Sequence, residues 1–457
     1  MTSTKRHQKH SNLRPRTHHP ALTAVVANPK GEIFDLEGFA AIGASGSLLS
    51  PLTDASTIAL PHGSELMFLP DRVPVLLDLD TGQTRAVDRN PHDRHERLFP
   101  VAAFNAPGTV VTRFCAYEER PGAQRLPLFS YGAVGWRGHG FRSAAIVVDR
   151  EPRQDLRRMP REKILAGIEQ MRLQLPDNRL ARHLEHCALT YGCPAGKNFF
   201  LGRYEAPLPT ARACNARCLG CISLQQDRHL TSCQNRIAFT PSADEIAHVA
   251  LVHIRRVKNS VVSFGQGCEG DPLLAARVIG PAIARIRKET ADGTINMNTN
   301  ASLPHVLAPL ISAGLDSLRV SMNSVREPCY KAYFRPKGYR FAQVLQSIDL
   351  AIAKGKHVAI NYLNCPGFTD SPEEAAALAL FLEKHPVHLI QWRNLNIDPQ
   401  HYLRIMENVA PLGPPVGMHR LLQILRNRFP NLQYGYFNPP KERFPAFASA
   451  APKERFP

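Results

Sequence analysis

Two rhythms of apolar and polar positions divide the chain. From about Gly31 to Arg150, short apolar runs such as ELMFLPD, VPVLLDLDTG, GTVVTRFCAY and SAAIVVDR stand between turn residues, with almost no helical periodicity. That pattern predicts a β-rich domain over 30–160. REKILAGIEQMRLQL (161–175) then reads as a helix, within a linker (161–205) that also carries Cys187 and Cys193. After Pro207 short β-branched runs alternate with longer helical ones. VVSFG (261–265), TINMNTN (294–300), SLRVSMN (317–323), VAINYLN (358–364) and LIQWRNLN (389–396) read as strands buried on both faces.

Between these strands, Ile246, Val249, Ala250, Ile254 and Val257 form one helical stripe, and Ser242 with Glu245 opens that helix at capping-box spacing. Ser371 and Glu374, with Pro372 at the first helical position, open another over 372–385. Gly355 ends a helix over 341–354 as a left-handed C-cap. With a strand just before Cys214, the count is about six βα units. Their repetition predicts a parallel sheet, and six units a partial (βα)6 TIM-like barrel over 206–412, an α/β fold preceded by the smaller β-rich N-terminal domain. Over 413–457, HRLLQILRNRF reads as a closing helix, followed by a flexible tail that repeats PKERFP at 440–445 and 452–457.

Charge changes this picture little. The net charge of +17 is spread over scattered cations, without the interleaved aromatics of a nucleic-acid groove. Residues 1–29 are basic and read as a disordered arm. ALTAVVA within it is far too short to span a membrane. No membrane partner is expected, and a cytoplasmic location is.

Cysteine changes it more. Ten cysteines in 457 residues make no disulfide scaffold, yet ARACNARCLGCISLQ (211–225) puts Cys214, Cys218 and Cys221 within eight positions. A disulfide would leave one thiol over. Cys233 as a fourth ligand would close a zinc or iron-sulfur site. Three thiolates alone suit three irons of a cubane, with the fourth iron open. The barrel adds position: unusual residues follow four successive strands, as the cysteine loop, GQGCEGDP, NTNAS and MNS. In a βα barrel chemistry belongs at those strand ends.

CX3CX2C in the loop after the first strand of a partial barrel resembles the radical S-adenosylmethionine (radical SAM) superfamily, over roughly 206–400. The resemblance implies that Cys214, Cys218 and Cys221 hold a [4Fe-4S] cluster. Its open iron would bind S-adenosylmethionine, and reduction would yield a 5'-deoxyadenosyl radical that abstracts hydrogen from a substrate. It also implies a reductase or a flavodoxin- or ferredoxin-type electron donor. FGQGCEGDPLL is similar to the family's glycine-rich segment, which receives the cofactor's amino group, with Gly265 and Gly267 allowing close approach. Asp271-Pro272 stands where the family usually has Glu-Pro, so Glu269 and Asp271 are both candidates. By the same likeness Asn298, Asn300, Ser321 and Asn323 approach the cofactor, and Arg393 pairs with its carboxylate. The aromatic that often precedes the third cysteine is here Gly220, after Leu219, so adenine needs another packing partner.

Cys187, Cys193 and Cys233 are candidates for an auxiliary iron-sulfur cluster, and Cys268 for a substrate-facing thiol. YKAYFRPKGY (330–339) reads chiefly as a polar loop with aromatic packing, or as a loop that orients an anionic or aromatic substrate. No cysteine follows Cys365, unlike a typical peptide maturase. The substrate is unidentified, with a peptide, a protein or RNA in view, and no catalytic side chain is assigned. The competing reading is a non-catalytic zinc or closed iron-sulfur module that binds nucleic acid.

Overall fold

The computed structural model describes residues 21–445. Seven parallel strands lie side by side in chain order: β1 (Glu205–Pro207), β2 (Val261–Phe264), β3 (Thr294–Thr299), β4 (Ser317–Met322), β5 (His357–Asn364), β6 (Leu389–Asn394) and β7 (Gln433–Gly435). Helices Ala243–Arg256, Ala276–Glu289, Pro304–Ala313, Phe341–Ala353, Pro372–Lys384 and Met418–Arg428 make the crossovers. β1 and β7 do not pair, so the curled sheet stays an open partial barrel. The expected six strands are present, and β7 adds a short seventh.

Alternation along the strands sorts the two faces. Val262, Phe264, Ile295, Met297, Leu318, Val320, Ile360 and Ile390 are buried apolar positions. The alternate positions are polar and bond to one another across the lumen. Asn296 Nδ2 donates to Ser263 Oγ (3.2 Å), Ser317 Oγ to Asn296 Oδ1 (2.8 Å), Arg319 Nη1 to Gln391 Oε1 (3.1 Å) and Arg393 Nε to Asn361 Oδ1 (3.0 Å). Buried polar groups need such partners. The strands are buried on both faces, as expected, but the inner face is polar.

The helix caps follow the local sequence. Glu245 N donates to Ser242 Oγ and Ser242 N to Glu245 Oε2, completing the capping box. Gly355 has φ +65° and donates to Ile352 O. Glu374 N also donates to Ser371 Oγ, but its carboxylate turns inward to Ser324 and Arg326.

Four expectations need correction. Residues 23–27, placed in a disordered arm, form a strand in the middle of the N-terminal antiparallel sheet, paired with Ile33–Ala40, Phe99–Phe104 and Gly132–Arg137. The reason is that TAVVA is apolar and four of its five residues are buried. Residues 1–20 of that arm lie outside the described residues. The segment 161–205 holds three helices, Arg161–Gln174, Arg179–Thr190 and Pro194–Phe200, rather than one. YKAYFRPKGY begins inside a helix, Glu327–Phe334, which Arg335 ends at φ +49°. Finally, the first PKERFP copy packs under the barrel. Lys441 N donates to Thr294 Oγ1 (2.7 Å), and Phe444 stacks on His357 with centroids 4.2 Å apart. The second copy lies outside the described residues.

A two-stranded ribbon of the N-terminal domain, Thr109–Val111 with Ala145–Val147, covers the C-terminal ends of β5 and β6. Val111 N donates to Asn394 Oδ1 (2.8 Å), Asn394 Nδ2 to Thr109 O (2.9 Å) and Asn364 Nδ2 to Val111 O (2.7 Å). Arg72 pairs with Asp398 at 3.1 Å, both side chains buried, and Tyr117 OH donates to the same carboxylate.

Candidate functional site

Between the N-terminal domain and the strand ends lies a cavity of about 500 Å³. Cys214, Cys218 and Cys221 line one wall and the segment 265–271 the next. The N-terminal domain contributes Phe104, Asn105 and Ser130.

The cysteine loop is held from several sides. Arg217 N and Leu219 N donate to the carbonyls of Phe334 and Tyr333, and Gln225 Nε2 donates to Leu219 O. Ala216 N donates to Cys214 Sγ (3.4 Å), and Arg236 Nη2 to Cys221 Sγ (3.7 Å). Burial pushes the Cys214 thiol up to about 11 and the Cys218 thiol well above its ordinary value, with the neighbouring thiols adding to the rise at Cys218. Such thiols bind as thiolates only when a cation compensates the charge.

The glycines in the next wall are required by protein packing. A Cβ on Gly265, at φ +79°, would lie 1.7 Å from Asn298 O, and one on Gly270 would lie 1.8 Å from Ala213 O. At Gly267 it would lie 2.6 Å from the Ile222 side chain. Backbone therefore forms this face of the cavity.

The two candidate carboxylates part company. Glu269 is 4% exposed; its oxygens accept from Thr210 N, Ala211 N, Gly265 N and Gln266 N at 2.7–2.8 Å. Burial raises it to about 7 while the four amides pull it down. It does not line the cavity and instead clamps the cysteine loop to the glycine segment. Asp271 does line the cavity, accepting from Thr299 Oγ1, Asn300 N and Leu273 N.

Asn298, Asn300, Ser321 and Arg393 also line the cavity. Asn298 Nδ2 donates to Gly265 O (3.1 Å) and Asn300 Nδ2 to Asn215 Oδ1 (2.7 Å). Asn323 does not belong with them: it is 0% exposed and donates to Cys329 O and Tyr402 OH, behind the strand end. One residue beyond Met322 the chain has turned away from the lumen.

Sequence reasoning missed Arg319, Asn361 and Tyr436, and reached Tyr333 only as part of the run 330–339, with no role beside the cysteines. Arg319 stands two residues before Ser321, so strand alternation could have found it. It lines the cavity, and burial with the neighbouring Arg393 pulls its guanidinium down to about 9. The Arg393 guanidinium lies over the Tyr436 ring, 3.6 Å from its centroid. Neither arginine forms an ion pair among the described residues. Tyr333 answers the question posed by Gly220: a Cβ there would lie 2.8 Å from the Tyr333 hydroxyl and 2.4 Å from Asn396 Oδ1. An aromatic side chain is thus supplied from the helix after β4 into the space beside the third cysteine. Tyr330 and Tyr339 pack instead in the core, their hydroxyls 3.1 Å apart.

The other thiols lie outside the cavity lining. Cys233 is exposed and donates to Leu128 O (3.7 Å). Cys268 is buried and faces Cys187 rather than the cavity.

The family model of the radical SAM superfamily matches residues 208–379. The chain carries a radical SAM domain. Among curated relatives it is similar to a GTP 3',8-cyclase of Heliobacterium modesticaldum, 28% identical over 178 residues, 38% of this chain and 50% of that protein. It is also similar to molybdenum cofactor biosynthesis protein 1 of Drosophila melanogaster, 23% identical over 228 residues, 48% of this chain and 35% of that one. The chain thus spans half or less of these relatives. Among solved structures, HydG, a maturase of the [FeFe]-hydrogenase, overlaps 60% of this chain and 67% of its own, at 17% identity and a TM-score of 0.37, too loose an overlap to carry an argument. Among the described residues no helix is long and apolar enough to cross a membrane.

Radical SAM proteins use a [4Fe-4S] cluster and S-adenosylmethionine, and the donors of this cavity fit both. The loop offers three thiols that line one wall of the cavity, an odd number that suits three irons of a cubane and leaves the fourth open. Backbone, amides and a carboxylate adjoin them for a zwitterionic cofactor.

Proposed function

We propose that the chain is a radical SAM enzyme, and the observation that carries this is the joining of Cys214, Cys218, Cys221, the glycine segment and the ends of β3, β4 and β6 in one cavity. When bound, a reduced cluster supplies the electron that cleaves S-adenosylmethionine to methionine and a 5'-deoxyadenosyl radical, which takes hydrogen from substrate. Cys214, Cys218 and Cys221 would hold the cluster, and the Arg236 contact to Cys221 would stabilise its negative charge. Asp271 and the carbonyls of the glycine segment would receive the cofactor's ammonium, and Asn298, Asn300 and Ser321 would orient its polar edges. Tyr333 would pack against adenine, and the N-terminal domain would keep water from the radical.

Arg319 and Arg393, two cations that form no ion pair among the described residues, favour a substrate with an anionic group. The nucleoside triphosphate in the first relative's name is one such molecule; an acidic peptide and RNA are others. A thiolate-held cluster favours a reducing compartment such as the cytoplasm, and its reduction calls for an electron donor, for which we propose a reductase or a flavodoxin- or ferredoxin-type protein. The test is anaerobic reconstitution, reduction with dithionite and assay of 5'-deoxyadenosine, against the Cys214, Cys218 and Cys221 triple alanine variant. Product from wild type alone supports the reading. No product from protein with an intact cluster signal that S-adenosylmethionine leaves unchanged overturns it.

A further inference from the structure

Outside the cavity a second set of metal-binding side chains converges. His183 and Cys187 sit four residues apart in the helix Arg179–Thr190, which puts imidazole and thiol on one face. Cys187 Sγ lies 3.5 Å from His183 Nε2. Cys268 arrives from the loop after β2, and the ligand atoms of all three lie within 4.8 Å of one another. Cys187 and Cys268 are 2% and 5% exposed.

We propose that His183, Cys187 and Cys268 bind a single thiophilic divalent ion, zinc by class, that staples the helical segment before the barrel to the glycine-rich segment. Tetrahedral zinc with bonds of roughly 2.0–2.3 Å holds its ligand atoms about 3.3–3.8 Å apart; Cys187 Sγ and His183 Nε2 already stand at 3.5 Å, and the whole trio lies within 4.8 Å. A [4Fe-4S] cluster places each thiolate on a different iron and needs wider spacing. Two sulfurs and an imidazole select zinc over oxygen-loving magnesium or calcium. Cys193, whose amide donates to Cys187 O at 3.1 Å, is the adjacent thiol for a fourth position.

The placement gives the ion a structural task. Cys268 O accepts from Ile237 N (2.7 Å), and the next residue, Glu269, holds four backbone amides of the cysteine loop and glycine segment. An ion on Cys268 would fix that clamp from behind. The inference stands independently of the reaction proposed above.

The test uses the full chain, purified anaerobically from zinc-supplemented medium, as wild type and as the Cys214, Cys218 and Cys221 triple alanine variant, with metals counted by plasma mass spectrometry. About one zinc per chain is expected in both. Cys187→Ser and Cys268→Ser in the triple variant should each lower zinc occupancy about tenfold, with helix content by circular dichroism unchanged. Should either variant misfold, X-ray absorption at the zinc edge of the triple variant gives an independent readout, two or three sulfurs and one nitrogen being expected. Absence of zinc from the triple variant, or occupancy unaffected in both serine variants, would overturn the proposal. So would a Cys187–Cys268 disulfide in protein kept anaerobic, or an oxygen-only zinc shell.

Discussion

Cys214, Cys218 and Cys221 stand on an irregular loop at a cavity wall, next to backbone and amides that can receive a second molecule. Cys187 and Cys268 stand behind that wall, buried and close together, with a histidine as their neighbour. The same element, sulfur, serves opposite geometries. The loop keeps room for a reactive group with an open side, whereas the rear trio leaves space for one ion. Glu269 follows Cys268 directly and clamps the glycine segment to the start of the cysteine loop.

The largest effect should come from the loop itself. Alanine at Cys214, Cys218 and Cys221 together should remove the cluster's visible absorbance and lower 5'-deoxyadenosine formation by at least about a thousandfold, while zinc on the rear trio persists. Loss of both metals at once would break the separation of the two sites.

Gly270→Ala comes next. The added methyl meets Ala213 O, so the cysteine loop must shift; about 3 kcal/mol of stability should be lost, read by urea unfolding, together with cluster occupancy. Asp398→Asn should cost about 2 kcal/mol by removing the buried one of the two carboxylates that pair with Arg72, Glu119 being the other. That loss should expose the cavity mouth to limited proteolysis near Thr109–Val111.

Tyr333→Leu keeps bulk but removes the ring beside Gly220. S-adenosylmethionine should bind about tenfold more weakly by equilibrium dialysis of the reconstituted protein, with zinc unchanged. Unaltered binding would withdraw Tyr333 from the adenine role.

The smallest effect is expected at Glu245, which caps its own helix and pairs with Arg179 at the start of the helix carrying His183 and Cys187. The Arg179 bond holds its carboxyl down to about 2 against an ordinary 4.5. A lowered folded value means stability present above pH 4.5 and lost as pH falls towards 2. Glu245→Gln should cost about 1 kcal/mol at neutral pH and flatten the pH dependence of thermal unfolding between those limits.

Much of this was legible in the chain because it depends on local periodicity. The strand runs, the Ser242–Glu245 box and the Gly355 cap each follow from neighbours within a few residues. Arg319 was legible in principle, since it shares a strand face with Ser321. Asn323 was not: its neighbours suggest a continuing strand, and only the packing of Tyr402 against it shows that the backbone has turned. Glu269 was equally opaque, because four amides from two separate segments decide that its carboxylate is spent. The apolar run 23–27 was misplaced by its basic flank, although its own residues are strand formers.

What the sequence by itself determined is the alternation that makes a parallel βα sheet and the spacing that puts three thiols on one loop, both consequences of short-range geometry. The tertiary structure decided which polar groups face the cavity, that Tyr333 fills the place left by Gly220, and that Cys268 meets His183 and Cys187. Those pairings join residues distant along the chain, and no local propensity encodes a contact that only the closing of the sheet creates.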